Sequence, residues 1–449
     1  MARALSRAMR SPSCTACTIG EEQGMIPYER ERSLDEANRI IHACIARRGW
    51  SAQTGEFGHG LVTIKCALHD AQGRLLSRGS GKGEPAASLT GALYEAVEHY
   101  YCRASALASE PRFVAARELA DDPRCAGLPF VSEFADQSQR HLACRQYASY
   151  SGRADLAVPL FMVFPDYPPA VELRDPRDDF DYHSATRYSS NSGTAIGASF
   201  EEAALHGIGE IVERDAWALF MLAHYLGAPA RYGRLIEPSS LPAELARIHE
   251  LARRRLERRV LLIDVTSDLA YPAFIATTEE RLPEEIVFPH GCGASPYAAH
   301  AATRALTELT QCVDIKENAP HLVELDQLAL DLLVDYPKLR ACVMGEIDPR
   351  RLHHAHWDYP QLPWQAPKQL LPRVVADLEA RGIGLYHAIN HQEGDEFCVV
   401  SSVSMELERF FLASTGLLMA PGRRGRECLA RQALAAQAQA QREPQPQEA

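Results

Sequence analysis

Blocks of helical and extended periodicity alternate along the chain. Apolar residues recur at helical spacing over residues 34–48, 86–103, 199–225, 240–256, 297–313 and 370–382. Alternating or short apolar runs predict strands over residues 60–69, 154–164, 259–265, 272–279, 384–389 and 397–405. The turn DAQGR, residues 70–74, predicts a hairpin between the first strand and LLSRGS. Helices that alternate with strands, some of them in hairpins, predict a mixed α/β (α+β) fold with partly antiparallel sheets.

Three of the predicted helices carry a polar stripe on an otherwise apolar surface. Residues three or four apart share one face of a helix. The stripes are Glu95 and Glu98 on the first helix, Glu202, His206, Glu210 and Glu213 on the second, and Arg304, Glu308 and Gln311 on the third. Aligned carboxylates repel one another, which predicts that the stripes converge on one buried site that contains cations. Three solvated amphipathic helices are the alternative.

A nucleoside triphosphate with bridging Mg²⁺ fits such a site, because Mg²⁺ is commonly held by a few carboxylates plus phosphates. The Gly-rich segments GSGKGEP, SSNSGTAIG and HGCGASP precede the three helices and contain Lys82 and Asn191. They are predicted to be loops that present backbone amides to an anion, although an ordinary turn is the alternative for each. The sequence has no GxxxxGK[ST] motif, no dinucleotide fingerprint and no recognisable nucleophile motif.

Composition narrows the class of protein. The 449 residues are 46% apolar and 24% charged, which is typical of a soluble globular protein. The net charge of −12 argues against general nucleic-acid binding. No apolar run is long enough to cross a membrane and no secretory signal is present, so a cytoplasmic protein is predicted, although Arg3, Arg7 and Arg10 also suit a transit peptide.

The cysteines and the histidine-rich HHAHW run are the two groups of residues that could bind a metal, and neither has the pattern of a known metal site. Twelve scattered cysteines predict reduced thiols. Cys14 and Cys17 are the one close pair, and they lack the second pair that structural zinc requires. The HHAHW run, residues 353–357, lies among prolines and is interpreted as a solvated loop.

The chain is predicted to form one large domain over residues 30–426. Residues 1–29 are assigned to a disordered N-terminal tail. Residues 427–449 are rich in Ala and Gln and end in Pro444-Gln445-Pro446 before the last three residues, which predicts a helix that frays into a tail.

The three helix-bearing segments together resemble the YcaO family in order, spacing and local sequence. They are GKG with ALYEAVEH, then SSNSGTAIGASFEEAALHGIGEIVERDA, then GCGASPYAAHAATRALTELTQ. The resemblance implies a YcaO-type fold that binds ATP and Mg²⁺ through acidic helices without a P-loop. By position, it implies Glu95, Glu98, Glu210 and Glu213 as Mg²⁺ or triphosphate ligands, and Arg30, Lys82, Asn191, Glu202, Arg214, Glu308 and Gln311 as nucleotide contacts. Arg32 is the alternative to Arg30, and His99 stands where the family usually has Arg.

The resemblance also implies a reaction. ATP activates a peptide backbone amide by O-phosphorylation, and a neighbouring Cys, Ser or Thr then closes a thiazoline or oxazoline in a ribosomally made precursor peptide. External sulfide would give a thioamide instead, and an amine would give an amidine. The implied partner is an E1-like (ThiF-like) leader-binding protein, or a TfuA-like protein for thioamidation, and a homodimer is compatible. The rival is a non-catalytic nucleotide-binding accessory protein that supports an enzyme such as a ribosomal-protein methylthiotransferase. His99 favours it, and so does the tail, because azoline-forming members of the family tend to end in a Pro-rich tail whereas Gln447, Glu448 and Ala449 follow Pro446 here.

Overall fold

The structure is a computed structural model that describes residues 26–108, 110–169 and 174–440. Its helices are α1 (Leu34–Arg47), α2 (Pro85–Ala108), α3 (Ala116–Asp121), α4 (Val131–Asp136), α5 (Leu160–Val163), α6 (Phe200–Met221), α7 (Ala243–Leu256), α8 (Ala298–Glu317), α9 (His321–Leu332), α10 (Pro337–Met344), α11 (Pro367–Glu379) and α12 (Arg423–Ala440). Its strands are β1 (Ser51–His59), β2 (Leu61–His69), β3 (Leu75–Gly83), β4 (Arg112–Ala115), β5 (His141–Ser149), β6 (Leu156–Pro159), β7 (Thr194–Gly197), β8 (Arg234–Ile236), β9 (Val260–Asp264), β10 (Ala273–Thr278), β11 (His290–Ala294), β12 (His353–Ala355), β13 (Tyr386–Glu393) and β14 (Phe397–Val403).

The strands form three sheets, in the orders β1-β2-β3, β11-β10-β9-β8-β12 and β4-β5-β13-β14-β7, with β6 paired to β5. Among the described strands only β8 and β12 pair in parallel. The predicted hairpin joins β2 to β3 and sets Thr63 opposite Lys82. The mixed, largely antiparallel architecture confirms the predicted fold class.

Helix α6 lies at the centre of the molecule. Ser199 caps its N-terminus by accepting a hydrogen bond from the backbone N–H of Glu202 at 3.2 Å, as its position before two acids predicts. Apolar residues on several faces of α6 are buried, among them Leu205, Ile208 and Trp217. A helix that is apolar nearly all round belongs inside a domain, so the polar residues of α6 are held in the interior.

Parts of all three Gly-rich segments are strands rather than the predicted loops, whereas SSNSG, residues 189–193, forms the loop and turn before β7. HGCGA is β11, GSGKG ends β3, and TAIG is β7. Their glycines let each strand lie against the helix that follows it. A Cβ on Gly81 would lie 1.7 Å from the Ser88 carbonyl oxygen, and one on Gly293 would lie 2.1 Å from the Ala301 carbonyl oxygen. The prediction that all of these glycines lie in loops is therefore wrong, and close backbone packing explains the glycines that lie in strands. Their contact with phosphate stays a prediction.

Two further segments differ from expectation. The apolar run over residues 154–164 forms β6 and then turns into α5 after Pro159, because an apolar run alone does not distinguish a buried strand from a buried helix. HHAHW contains the edge strand β12, with His353 and His354 exposed.

The chain ends are packed closer to the body than their composition suggests. Glu29, placed in the N-terminal tail, is 4% exposed. Helix α12 begins at Arg423 and buries Cys428. Cys14 and Cys17 lie outside the described residues. No helix in the described part of the chain is long and apolar enough to cross a bilayer.

Candidate functional site

The polar stripes of α2, α6 and α8 converge on one site. The Nζ of Lys82 in β3 contacts Glu308 on α8, and Gln311 Nε2 donates to the Ser80 carbonyl oxygen at 3.1 Å. The backbone N–H of Ser80 in turn donates to Glu95 on α2 at 3.2 Å. Strand β3 thus links the stripe of α8 to the stripe of α2.

Two carboxylates are held by the segment that leads into α6. The backbone N–H of Ile196 in β7 donates to Glu98 Oε2 at 2.9 Å, and the N–H of Gly193 donates to Glu210 Oε2 at 3.2 Å. These bonds orient one carboxylate from α2 and one from α6 against the same strand. Neither hydrogen bond uses Oε1 of its carboxylate, and Oε1 of Glu210 lies 3.8 Å from the guanidinium of Arg214.

Arg30 brings the N-terminal segment into the site. Its Nη1 lies 3.3 Å from Glu202 Oε1, and its Nη2 lies 3.3 Å from His206 Nδ1. Arg32 instead donates to the backbone carbonyl of Glu396, away from these helices. Of the two predicted alternatives, only Arg30 therefore contacts the stripe of α6.

Arg214 lies beside two of the acids. Its guanidinium is 3.3 Å from Glu213 and 3.8 Å from Glu210, and it lies 5.7 Å from the centre of the Phe411 ring. Burial disfavours its charge, but Glu213 and Glu308 outweigh that effect and raise the pKa of Arg214. Arg214 is therefore a permanent cation in the site.

Electrostatics divide the carboxylates into two kinds. Burial, with Glu95 and Glu210 nearby, raises the pKa of Glu98 well above its usual range, and burial also raises the pKa values of Glu95 and Glu210. Glu308 is buried as well, yet Lys82 and Arg214 lower its pKa to about 2. Glu308 thus has close counter-charges that outweigh its burial, whereas burial outweighs the cations near Glu95, Glu98 and Glu210.

Asn191 and His99 lie at the margin of this network. Asn191 is exposed in the turn before β7, and its carbonyl oxygen accepts from the N–H of Thr194 at 3.1 Å. His99 Nδ1 lies 2.7 Å from the Arg78 carbonyl oxygen, which places its Nε2 at 3.9 Å from Glu95. A neutral imidazole there supplies a hydrogen bond but no fixed positive charge.

Arg304, a member of the predicted stripe of α8, was not assigned a metal or nucleotide contact, and two other buried polar groups near the stripes, Glu29 and His300, were not predicted in the site. Arg304 lies 3.5 Å from Glu213 and 3.2 Å from His206 Nε2. Glu29 accepts a hydrogen bond from Ser295 Oγ at 2.6 Å and lies 3.8 Å from His300. His300 lies four residues before Arg304, so the spacing of the stripe on α8 is the signal that could have included it.

The donor set fits Mg²⁺ and a triphosphate. Counted with every group ionised, the six carboxylates of the stripes outnumber the four cations beside them by two. The carboxylates are those of Glu95, Glu98, Glu202, Glu210, Glu213 and Glu308, and the cations are Arg30, Lys82, Arg214 and Arg304. Glu213 Oε2 has no hydrogen-bond partner although it is buried. In the described part of the chain, no three metal-ligating side chains are close enough to hold an ion alone. Mg²⁺ is usually held by one or two carboxylates together with phosphate oxygens and waters, which this donor set can supply in part.

Comparison with known proteins identifies the family. A family model described as YcaO cyclodehydratase, ATP- and Mg²⁺-binding, matches residues 80–404. The chain belongs to the YcaO family. The predicted family is thus confirmed, and so are ATP and Mg²⁺ as the cofactors of this YcaO chain.

Solved structures agree with the YcaO fold. A heterocyclase in complex with substrate and cofactor has a TM-score of 0.62 and 18% identity, over 87% of this chain and 55% of that chain. The YcaO of Methanopyrus kandleri bound with AMPPCP and Mg²⁺ has a TM-score of 0.57 and 18% identity, over 87% of this chain and 96% of that chain. At this level of identity the likeness establishes the fold of the YcaO chain.

Two sequence relatives of this YcaO chain are uncharacterised proteins. One, in the tfuA 3′ region of Rhizobium leguminosarum bv. trifolii, is 36% identical over 129 residues, which are 27% of this chain and 30% of that protein. The other, from Methanothermobacter thermautotrophicus, is 25% identical over 310 residues, which are 67% of this chain and 69% of that protein. The chain thus spans less than a third of the first relative.

Proposed function

We propose that this chain uses ATP and Mg²⁺ to phosphorylate the carbonyl oxygen of a peptide backbone amide, and that the product is a thiazoline or oxazoline in a ribosomally made precursor peptide. The observation that carries the proposal is the excess of buried carboxylates around Glu98, beside the paired cations of the same site. Such a site attracts divalent ions and, through them, phosphates. The family description supports ATP as the phosphate donor.

Each predicted site residue has a role in this proposal. Glu95, Glu98, Glu210 and Glu213 hold Mg²⁺, while Arg30, Lys82, Asn191, Glu202, Arg214, Glu308 and Gln311 contact the nucleotide. Because all of these groups except Arg30 and Asn191 sit on packed helices and strands, most of them are already oriented before the substrate arrives. Phosphoryl transfer depends chiefly on such positioning and charge neutralisation.

The bond changes balance without another reactant. A Cys, Ser or Thr side chain attacks the carbonyl carbon of the preceding amide and loses its proton. The carbonyl oxygen takes the γ-phosphoryl group, and loss of phosphate together with the amide proton closes the C=N bond. The peptide loses one water for each ring, and ATP becomes ADP and phosphate.

Thioamide formation is the second candidate. The relative in the tfuA 3′ region supports it, because a thioamide-forming member is expected beside a TfuA-like partner. Here external sulfide replaces the side-chain nucleophile, and sulfur replaces the amide oxygen. An E1-like partner is expected for ring formation and a TfuA-like partner for thioamidation.

Turnover and product mass test the proposal. Purified protein is incubated with the candidate peptide, the candidate partner and ATP·Mg²⁺, and ADP and peptide mass are measured. Glu210→Gln or Glu213→Gln should lower ADP release by about 100-fold or more, because a Mg²⁺ ligand is lost. Glu84→Gln, at an exposed surface pair with Arg247, is the matched control and should keep full turnover.

The outcomes separate the candidates. Loss of one water per modified residue supports the ring, and exchange of oxygen for sulfur supports the thioamide. Nucleotide binding without peptide-dependent ADP release would favour the non-catalytic accessory, for which His99 in place of Arg is the sequence argument. Unchanged turnover in both Gln variants would overturn the site assignment.

A further inference from the structure

The segment that leads into α1 lies against α6. It comprises residues 27–32 and is here named the N-terminal strap. The backbone N–H of Glu31 donates to Glu202 Oε2 at 2.9 Å, while the guanidinium of Arg30 contacts Glu202 Oε1 at 3.3 Å. Two successive residues of the strap thus bind the two oxygens of one carboxylate. The place of Arg30 in the site therefore depends on the path of the strap backbone.

Several contacts hold the beginning of the strap. The rings of Tyr28 and Tyr297 lie 4.3 Å apart between their centroids. Trp364 Nε1 donates to the carbonyl oxygen of Pro27 at 3.2 Å. Glu29 has a φ of 60°, in the left-handed region that residues with a side chain rarely adopt. Such a backbone conformation persists only where the surrounding contacts determine it, so this end of the strap is fixed.

Arg32 holds the other end of the strap. Its Nη1 donates to the carbonyl oxygen of Glu396 at 2.7 Å, and its Nη2 donates to the carbonyl oxygen of Asp395. Both acceptors lie in the turn between β13 and β14. The planar fork of a guanidinium suits two adjacent acceptors, so Arg32 connects the strap to this turn at two points.

The turn between β13 and β14 is itself a fixed support. Arg47 of α1 binds the carboxylate of Glu396, so the turn is also held from the side of α1. Strand β14 pairs with β7, whose Ile196 N–H donates to Glu98. Arg32 therefore connects the strap to the same sheet that orients a carboxylate of the site.

We infer that Arg32 is a positioning residue of the nucleotide site, which holds Arg30 in contact with the stripe of α6. Arg32 donates to backbone carbonyls of the turn, two residues along the chain from Arg30, and therefore acts on the site through the strap. Without this connection Arg30 would have more freedom, and nucleotide binding would have to order it at a cost in conformational entropy. The inference rests on the proposed function, because it requires Arg30 to contact the nucleotide.

A double-mutant cycle on the full chain tests the inference, with the Kd for AMPPCP·Mg²⁺ measured by calorimetry. Arg30→Met should raise the Kd by about tenfold or more, and Arg32→Met should raise it by about three- to tenfold. In the Arg30→Met background, Arg32→Met should change the Kd by less than about twofold, because the residue through which it acts is gone. An effect of lost charge or of a loosened fold would instead persist in that background.

Arg47→Met is the matched control. Arg47 contacts the same turn through the side chain of Glu396, but it does not adjoin Arg30 in the chain. This exposed pair should matter little, so the Kd should stay within about twofold of wild type. Arg32→Lys keeps the charge but lacks the planar fork, so the cycle is repeated with it and the same cancellation in the Arg30→Met background is expected. Thermal unfolding midpoints check that each variant is folded.

The outcomes separate this inference from the proposed function. Wild-type affinity in Arg32→Met, or an equal loss of affinity in both backgrounds, would overturn the inference and leave the proposed function intact. An equal loss in Arg47→Met would assign the effect to the turn as a whole and would also overturn the inference. Wild-type affinity in Arg30→Met would instead remove Arg30 from the proposed nucleotide site, and with it the route by which Arg32 acts.

Discussion

Arg304 of α8 contacts Glu213 of α6, with 3.5 Å between Nη2 and Oε2, and its Nη1 lies 3.2 Å from His206 Nε2. One guanidinium thus links the stripes of two helices. Burial lowers the pKa of His206 well below its usual range, and Arg304 and Arg30 lower it further. His206 is therefore a neutral link between two cations.

Replacing Arg304 with Met should weaken both the fold and the nucleotide site. The buried Glu213 would keep only Arg214 as a counter-charge, and loss of one partner of a buried pair costs about 3–5 kcal/mol. We expect AMPPCP·Mg²⁺ affinity, measured by calorimetry, to fall more than about tenfold. Arg254→Met, at an exposed pair with Glu250, is the control. Wild-type affinity in Arg304→Met would contradict a role for this bridge.

A methyl group at Gly293 should destabilise the β11–α8 unit. Its Cβ would lie 2.1 Å from the Ala301 carbonyl oxygen, so strand and helix would have to separate. Gly293→Ala should lower the free energy of unfolding by about 1–3 kcal/mol. Gly91→Ala is the control. Gly91 is exposed on α2, and the nearest atom to a Cβ there, Gly81 Cα, would be 3.6 Å away, so no clash is expected. Alanine at this helical position should stabilise the protein slightly. Equal effects of the two changes would refute the packing explanation.

His224 should make the fold sensitive to mild acid. Burial, followed by the charge of Arg351, lowers its pKa to about 4, and its Nε2 accepts from the backbone N–H of Asp348 at 3.2 Å. In the unfolded chain the pKa of a histidine is near 6.5, so between pH 6.5 and pH 4 the unfolded state takes up a proton that the folded state does not. The stability that neutral His224 contributes is therefore fully present above pH 6.5 and is lost as the pH falls towards 4.

His224→Gln provides the measurement. Glutamine keeps an acceptor for Asp348 but does not titrate. Urea unfolding at pH 7.5 and 5 should show a decrease in stability about 2 kcal/mol larger for the wild type than for the variant. Other buried histidines titrate in both proteins and cancel in the difference. Identical pH dependence would show that His224 does not titrate on unfolding.

Arg424 should be needed to hold α12 on the body. Its guanidinium contacts both oxygens of the buried Asp215 at 2.8 and 2.9 Å, one residue beyond Arg214 on α6. Glu408 accepts from the N–H of Gly425 at 2.8 Å and so caps the same end of α12. Arg424→Met should cost about 3–5 kcal/mol of unfolding free energy by leaving Asp215 unpaired. The exposed Arg426→Met should cost little, and a matching loss there would argue for a nonspecific effect.

Helical spacing determined much of the candidate site. Glu95, Glu98, Glu210, Glu213, Glu308 and Gln311 follow from stripes that one chain segment can display by itself, and the Ser199 cap likewise depends on neighbours in sequence. Their roles as ligands stay predictions. The hairpin of β2 and β3 was also predictable, because its turn and both strands are adjacent in the chain.

The sequence by itself therefore determined the longer amphipathic helices, their polar stripes, the family and its cofactors, but not the shorter helices α3, α4, α5, α9 and α10. Only the tertiary structure decided that Arg30 rather than Arg32 contacts the stripe of α6, that Arg304 bridges α6 and α8, and that HGCGA is a strand. Glycine has no side chain, so it adds nothing to the alternation of apolar and polar residues that predicts a strand. Glycine is required at position 293 because a Cβ there would lie 2.1 Å from the helix backbone of α8. Contacts between segments far apart in the chain arise from packing, which local periodicity does not encode.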